Sequence, residues 1–399
     1  HFLNQKPAEL DAGHVTFALG AAAVSLGQAL QNGNGFLNTS SLFFLTLSIA
    51  FLFWGVFGRQ VSWQPLLSRI SLLGLALQIY QLVFTYFSDS QFLSLDPDLW
   101  QFRVLVLLAG GLALLSLAPG YWVSPNIQKY LTISVLIVLS FAGVWVIRHV
   151  PTPFIDVFVF QQNSSRAILE GINPYTLTTQ NIYGDLGVYA YGAPLMENGI
   201  LNFGNPYPSL SIYFSLLGYL VGGDVRYSHL LAYVLSGALI AFLQPGRGSK
   251  LAAYILLFTP KAMYVIEQSW TEPIVLFILC AVVYSASRSQ RWLAFLLGLL
   301  FAIKQYLLFF FPLVLLIIPL QKPHNQWVRR YGMIALTAFL ITAPLAFWDF
   351  HAFLWNVGEI QWYQPLRLNA LSYLSAYARV FDVQPSQIVA FTVLALAFV

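Results

Sequence analysis

Apolar runs of membrane-spanning length recur from one end of the chain to the other. They fall at 15–31, 37–57, 68–87, 102–118, 129–147, 208–222, 227–243, 250–266, 271–286, 292–304, 306–320, 331–347 and 386–399. In lipid every backbone N–H and C=O must be paired within its own segment, so such runs fold as helices. Set against the ~20 residues that a span needs, they make about 13 spans, several of them short. Charged residues are only 9% of the 399. A soluble domain carries roughly 25%, so this chain cannot clothe a globule in charge. The expected fold is all-α: a polytopic transmembrane helical bundle forming a single domain over 1–399.

The formal net charge of +4 is small for this length and points away from nucleic acid. Cys280 is the sole cysteine and lies in an apolar run, which excludes a disulfide framework and a cysteine-built metal site. The chain opens on His1 and closes on Val399 within an apolar run, so both ends are expected to be incomplete.

Two connections are long, 148–207 and 348–370, and both mix aromatic, proline and acidic residues. Several short connections are basic, with Arg288 and Arg291 in one, Lys322, Arg329 and Arg330 in another, and Arg59 and Arg69 bracketing a third. The positive-inside rule puts these in the cytoplasm, and both long loops and the acidic 88–101 loop (Asp89, Asp96, Asp98) outside. Counting spans from opposite ends places 260–271 on opposite sides, and the suspect is the short run 208–222, which could dip in and return.

The 148–207 loop opens on PTPFIDVFVFQQNSSRAILEGINPY, 151–175. Residues 155–169 read as a helix lying along the membrane surface, with Ile155, Phe158, Val159 and Leu169 apolar and Gln161, Gln162, Asn163 and Arg166 polar. Gly171 ends it and Asn173-Pro174 starts a turn. Asp156 thus sits at the start of a rigid helix, either as a reactive carboxylate or as a residue that complements the helix dipole. Further on, FGNPYPSLSIYF (203–214) leads into a membrane segment, and TPKAMYVIEQSWTEPI (259–274) sets Lys261, Glu267 and Glu272 beside Trp270. Charges at that depth need a cavity or a partner. Lys304 stands alone in GLLFAIKQYLLFFFP (298–312), where it either snorkels to the interface or meets an anion.

In their order these features resemble the GT-C superfamily of membrane glycosyltransferases. They are an external loop opening with an aspartate, a G-x-N-P-Y end to its first helix, a Y-P-x-L lead-in, an S-x-x-E start of a span and a G-L-x-x-x-x-K span. The likeness is greatest to the bacterial polyprenyl-phosphate-mannose-dependent mannosyltransferases and covers about 145–320. The family's Y-P-P-L stands here as Tyr207-Pro208-Ser209-Leu210, and Ser209 makes that loop end less rigid.

The resemblance implies a GT-C-like bundle with interfacial helices in the external loop. It implies transfer of a sugar, mannose-like by preference, from a polyprenyl-phosphate donor to a glycan, lipid or protein hydroxyl at the outer face, with inversion. Asp156 would be the general base. Lys304 would stabilise the phosphate leaving group, with Lys261, Arg148 and Arg367 as further cations and His149 and His351 behind them. Tyr175, Tyr207, Trp270 and Glu272 complete the expected substrate-binding set. No cofactor is required, although Asp156, Glu170, Asp185 and Glu197 share one loop and carboxylates hold divalent cations. The expected location is the cytoplasmic membrane of a bacterium, with the site facing outward. Two further readings are a non-catalytic GT-C-like scaffold subunit of a larger membrane complex and a transporter of lipid-linked sugar.

Overall fold

The computed structural model describes residues 12–33, 35–58, 64–84, 96–187, 191–318 and 324–396. Asp89, Arg59, Lys322 and the ends of the runs at 85–87 and 319–320 lie outside the described residues. The described residues are mostly helical, and they include one three-stranded sheet of two-residue strands. Among the described residues four helices are long and apolar enough to cross a membrane: Thr39–Phe57, Leu99–Ser116, Pro125–His149 and Gln326–Trp348. The first of these buries only 11% of its span window and exposes Phe43, Phe53, Val56 and Phe57. A face of that kind is stable against lipid rather than water.

The chain divides into two compact units. The first comprises 1–149, 240–264 and 369–376. In it Ala12–Gly33 packs on Thr39–Phe57 and Gln64–Phe84, and Leu99–Ser116 packs on Pro125–His149. Some of its buried polar groups are joined across helices. The Tyr254 hydroxyl meets Ser116 Oγ at 2.5 Å and Thr132 Oγ1 at 2.9 Å, and Lys250 Nζ donates to Gln128 Oε1 at 2.8 Å.

The second unit comprises 150–239, 265–368 and 377–399. Its core gathers Ile274, Ile278 and Val282 of the Glu272–Arg288 helix, Leu293, Leu297 and Leu300 of the Leu293–Phe301 helix, and Ile334 of the His324–Trp348 helix. Gly298 permits a close approach: a Cβ there would stand 2.7 Å from the Ile334 carbonyl oxygen and 2.5 Å from Thr337 Cβ. Small residues at such crossings let helix backbones touch in lipid.

Two apolar runs expected as separate spans, 292–304 and 306–320, are shorter pieces here. The Leu293–Phe301 helix is about 14 Å long at 1.5 Å per residue, roughly half the hydrocarbon thickness. The chain then breaks, runs through a 3-10 stretch at Gln305–Phe310 and resumes as Phe311–Ile317. Lys304 lies at that break in extended backbone, φ −148° and ψ 140°. Such a break leaves polar backbone at depth, which other parts of the chain must satisfy. Leu210 donates its N–H to the Ala302 carbonyl at 3.3 Å, and Gln305 Nε2 reaches the carbonyls of Pro206 and Val357 at 2.5 and 2.9 Å.

Candidate functional site

The Asp156–Leu169 helix begins as expected, after Pro151 and Pro153, with Asp156 in its first turn, and Gly171 at φ +74° follows its end. Its faces differ from the amphipathic reading. Leu169 is exposed, whereas Gln161 is fully buried. Gln161 Nε2 donates to the Ser269 carbonyl at 2.9 Å and its Oε1 accepts from Ser215 Oγ at 2.9 Å. Ser269 has φ +55°, an unusual conformation for a residue with a side chain, and the glutamine satisfies the carbonyl that this turn presents. The helix is therefore clamped by buried hydrogen bonds rather than only floated on an apolar face.

A second clamp holds the same helix. Arg226 is fully buried, with Nε and Nη2 on the Asp224 carboxylate at 3.0 and 2.6 Å and Nη1 on the Glu267 carbonyl at 3.1 Å. Its guanidinium carbon lies 5.0 Å from the centre of the Phe158 ring. Neither Asp224 nor Arg226 belongs to a local motif that marks them as a pair, beyond a D-x-R spacing of the kind common in turns.

Asp156 itself is held on three sides. Its Oδ1 accepts the Val157 N–H at 2.8 Å and the Tyr183 hydroxyl at 3.1 Å, and its Oδ2 accepts the Tyr191 hydroxyl at 2.7 Å. The Tyr183 and Tyr191 rings stack, 6.0 Å between centroids and 28° between planes. Tyr191 is packed among Phe160, Leu195, Leu201, Phe203 and Ile360. Burial, and next the negative charge of Asp156, push both tyrosine hydroxyls well above their ordinary pKa of 10.0, so they remain donors across the physiological range. Sequence reasoning missed both tyrosines.

A small sheet frames them. Ile200–Leu201 pairs antiparallel with Thr179–Gln180 on one side and Met196–Glu197 on the other. Asn198 and Gly199 link the second pair at φ +51° and +77°, the left-handed turn that Asn-Gly favours. That dipeptide was a readable hairpin signal.

The loop's two ends carry the same tripeptide, Asn-Pro-Tyr, at 173–175 and 205–207. In both, the asparagine Oδ1 accepts the tyrosine N–H two residues on, at 3.1 and 3.0 Å. The two turns interlock, because Tyr175 donates its hydroxyl to the Tyr207 carbonyl at 2.9 Å. Tyr175 is thus a buried support for Tyr207, with its ring edge-on to Phe353. Asn356 ties both turns to the 348–370 loop. Its Oδ1 accepts the N–H groups of Gly204 and Asn205 at 2.8 and 3.0 Å, and its Nδ2 donates to the Tyr175 carbonyl at 2.8 Å.

Tyr207 connects the carboxylate to the cation. Lys304 Nζ lies 5.1 Å from the centre of its ring and 5.6 Å from that of Tyr306, and is paired with Glu272 Oε1 at 2.5 Å. The phenol of Tyr207 is raised well above 10.0 by burial and then by the charges of Asp156 and Glu272, so both carboxylates lie within its electrostatic reach. Asp156 with Tyr183 and Tyr191, and Lys304 with Glu272 and Tyr207, are two clusters within electrostatic reach of one another. Trp270 lies two residues before Glu272, partly buried, with its N–H on the Val265 carbonyl at 3.1 Å. Arg367 is exposed and its charge reaches Tyr183; His351 is exposed in a short helix of the 348–370 loop.

Arg148, His149 and Lys261 belong to the first unit. Arg148 is exposed in the last turn of the Pro125–His149 helix, and Lys261 is buried with Nζ 5.3 Å from the centre of the Tyr264 ring. His149 stacks on Trp145 and, with Asp96 and Asp98, forms the group of three potential metal ligands found among the described residues, all ligand atoms within 4.8 Å of one another. The four loop carboxylates form no such group: Asp156 is taken up by tyrosines, and Glu170, Asp185 and Glu197 are exposed.

No protein-family model, curated protein or solved structure matches this chain.

Proposed function

We propose that this chain transfers a sugar, mannose-like by preference, from a polyprenyl-phosphate carrier to an acceptor hydroxyl, with Asp156 as general base and inversion at the anomeric carbon. The supporting observation is the hydrogen-bonding state of Asp156. An ionised carboxylate offers about four lone-pair sites, and Asp156 has two filled on Oδ1 and one on Oδ2. The remaining site on Oδ2 is where an acceptor hydroxyl would place its proton. The stacked tyrosines would fix the carboxylate's direction, and orientation of this kind is a large part of catalytic rate. A positioned base contributes roughly 10²–10⁴-fold. Lys304 would meet the phosphate that leaves, opening its pair with Glu272. The resemblance in the order of motifs, from Asp156 to Lys304, supplies the substrate class.

In this reading the site faces outward from the cytoplasmic membrane of a bacterium, the apolar runs supply about 13 membrane segments, several of them shorter than the ~20 residues of a full span, and no divalent cation is required. The positive-inside pattern supports the orientation. Arg329 and Arg330 lie near one end of the His324–Trp348 helix, and Leu345, whose carbonyl accepts from Asn173 of the site loop, lies at the other.

A second reading, a non-catalytic subunit of a membrane complex, draws on the same Lys304. Its charge is already answered by Glu272 within the chain. The deciding experiment is transfer from polyprenyl-phosphate-mannose and polyprenyl-phosphate-glucose into membrane extracts, comparing wild type with Asp156→Asn at matched expression. Loss of product by a factor of hundreds in the variant is expected. Equal transfer by both proteins would remove Asp156 as the base, and no transfer by wild type would favour the subunit.

A further inference from the structure

Away from this site, the second unit has a cavity of about 380 Å³ lined by Gln290, Arg291, Leu293, Ala294, Gln326, Arg329, Arg330 and Met333. Ligand pockets run from about 300 to 1,000 Å³. Three of the lining side chains are guanidinium groups and none is a carboxylate. Their charge is not answered from nearby sequence either: between Glu272 and Asp349 the chain contains no acidic residue, while Arg288, Arg291, Lys304, Lys322, Arg329 and Arg330 fall in that interval. Arg330 Nη2 donates to Gln290 Oε1 at 3.2 Å, a neutral partner that aims its planar fork. The cavity is therefore complementary in charge to an anion.

Its position selects the kind of anion. Arg329 lies about 24 Å along the helix from Leu345, at 1.5 Å per residue, so the cavity is at the opposite end of a membrane-crossing helix from the Asp156 loop. Arg291 stacks on Trp292 at 5.4 Å, and Trp292 is exposed, as aromatic residues are at the head-group level. Leu293, Ala294 and Met333 give the cavity an apolar wall beside its basic one. Arginine forks match phosphate oxygens two at a time, and basic pockets between helices on the cytoplasmic side hold anionic head groups.

We propose that this cavity binds the phosphodiester head group of an anionic phospholipid, with Arg291, Arg329 and Arg330 on the phosphate and Leu293, Ala294 and Met333 along the start of the acyl chains. The assignment is independent of sugar transfer.

The test is native mass spectrometry of the detergent-solubilised full chain, titrated with phosphatidylglycerol or phosphatidylcholine. Wild type should retain phosphatidylglycerol at least about tenfold more tightly. The triple variant Arg291→Gln/Arg329→Gln/Arg330→Gln should lose that preference while eluting as the same monodisperse species. The control Lys129→Gln/Arg247→Gln, at exposed positions of the first unit, should keep it. Equal retention of the two lipids by wild type, or a preference unchanged in the triple variant, overturns the proposal. So does displacement of the lipid by millimolar inorganic phosphate, which would make this a site for the free ion.

Discussion

Tyr191 donates its hydroxyl to Oδ2 of Asp156 at 2.7 Å, from a ring locked in an aromatic core. The carboxylate takes its direction from that core, because Tyr183, which donates to its other oxygen, is partly exposed.

Tyr191→Phe is therefore expected to be the more damaging of the two tyrosine replacements. It leaves a carboxylate oxygen without its donor, at a cost of about 1–3 kcal/mol, and frees the carboxylate to turn. Tyr183→Phe opens its oxygen to water and should cost less. Thermal melting of the two variants in one detergent measures this, and a larger drop for Tyr183→Phe contradicts the stated roles. If Asp156 acts as base, transfer should fall more through kcat than through KM in Tyr191→Phe.

The same tyrosines set an alkaline limit. Their folded pKa values are raised, first by burial and then by Asp156, while the unfolded chain titrates near 10.0. Above pH 10 the unfolded state releases phenolic protons that the folded state keeps, so stability falls as pH rises. Their stabilising effect is complete below pH 10 and is lost as pH climbs toward the folded values. Denaturation followed from pH 8 to 11 should show a decline that is shallower in Tyr183→Phe/Tyr191→Phe. A double variant with an unchanged slope would place the loss elsewhere.

Asn356 is the joint between the two long loops. It is 1% exposed, and its side chain serves Gly204, Asn205 and Tyr175 at once. Asn356→Leu keeps the volume but strands two buried N–H groups, which should cost about 2 kcal/mol or more. Limited proteolysis should then cut within 174–207 faster than in wild type. Unaltered cleavage would show that Gln305, which also bridges the loops, suffices alone.

What could be read in advance follows from how far apart the interacting residues lie. Helices such as Thr39–Phe57 and Pro125–His149 announce themselves because lipid allows a long apolar run few other forms. The first turn at Asp156 and the stop at Gly171 are local chemistry, and were legible. The division of the chain near Lys304 was legible, since one apolar run ends at 304 and the next begins at 306, but the shortness of the two pieces was not: the hydrogen bonds that satisfy the break come from Pro206, Leu210 and Val357. The tyrosine cage was equally hidden, since its members lie 27 and 35 residues from Asp156. Both Asn-Pro-Tyr turns and the Asn-Gly hairpin were within reach, as each rests on neighbouring residues alone.

The Asp224–Arg226 pair tests how the Asp156 helix is held. Arg226 is fully buried, while the Asp224 side chain is 15% exposed. Removal of the two partners is therefore unequal. Asp224→Asn takes from a buried guanidinium the carboxylate that its Nε and Nη2 share, and should be the more destabilising of the two single changes. Arg226→Met leaves a carboxylate that water can reach, and should cost less. The double variant exchanges the ion pair for a thioether chain over Phe158 and an amide at the turn, so it should be more stable than Asp224→Asn alone. Phe158 lies on the first turn of the helix that carries Asp156, and Gln162 of that helix bonds the neighbouring Gly223 carbonyl and Val225 N–H. Hydrogen exchange over 156–162 should accordingly quicken in Asp224→Asn and recover in the double variant. Simple additivity of the two single changes, with no recovery, would mean that the pair does not hold the helix and that Gln161 alone positions it.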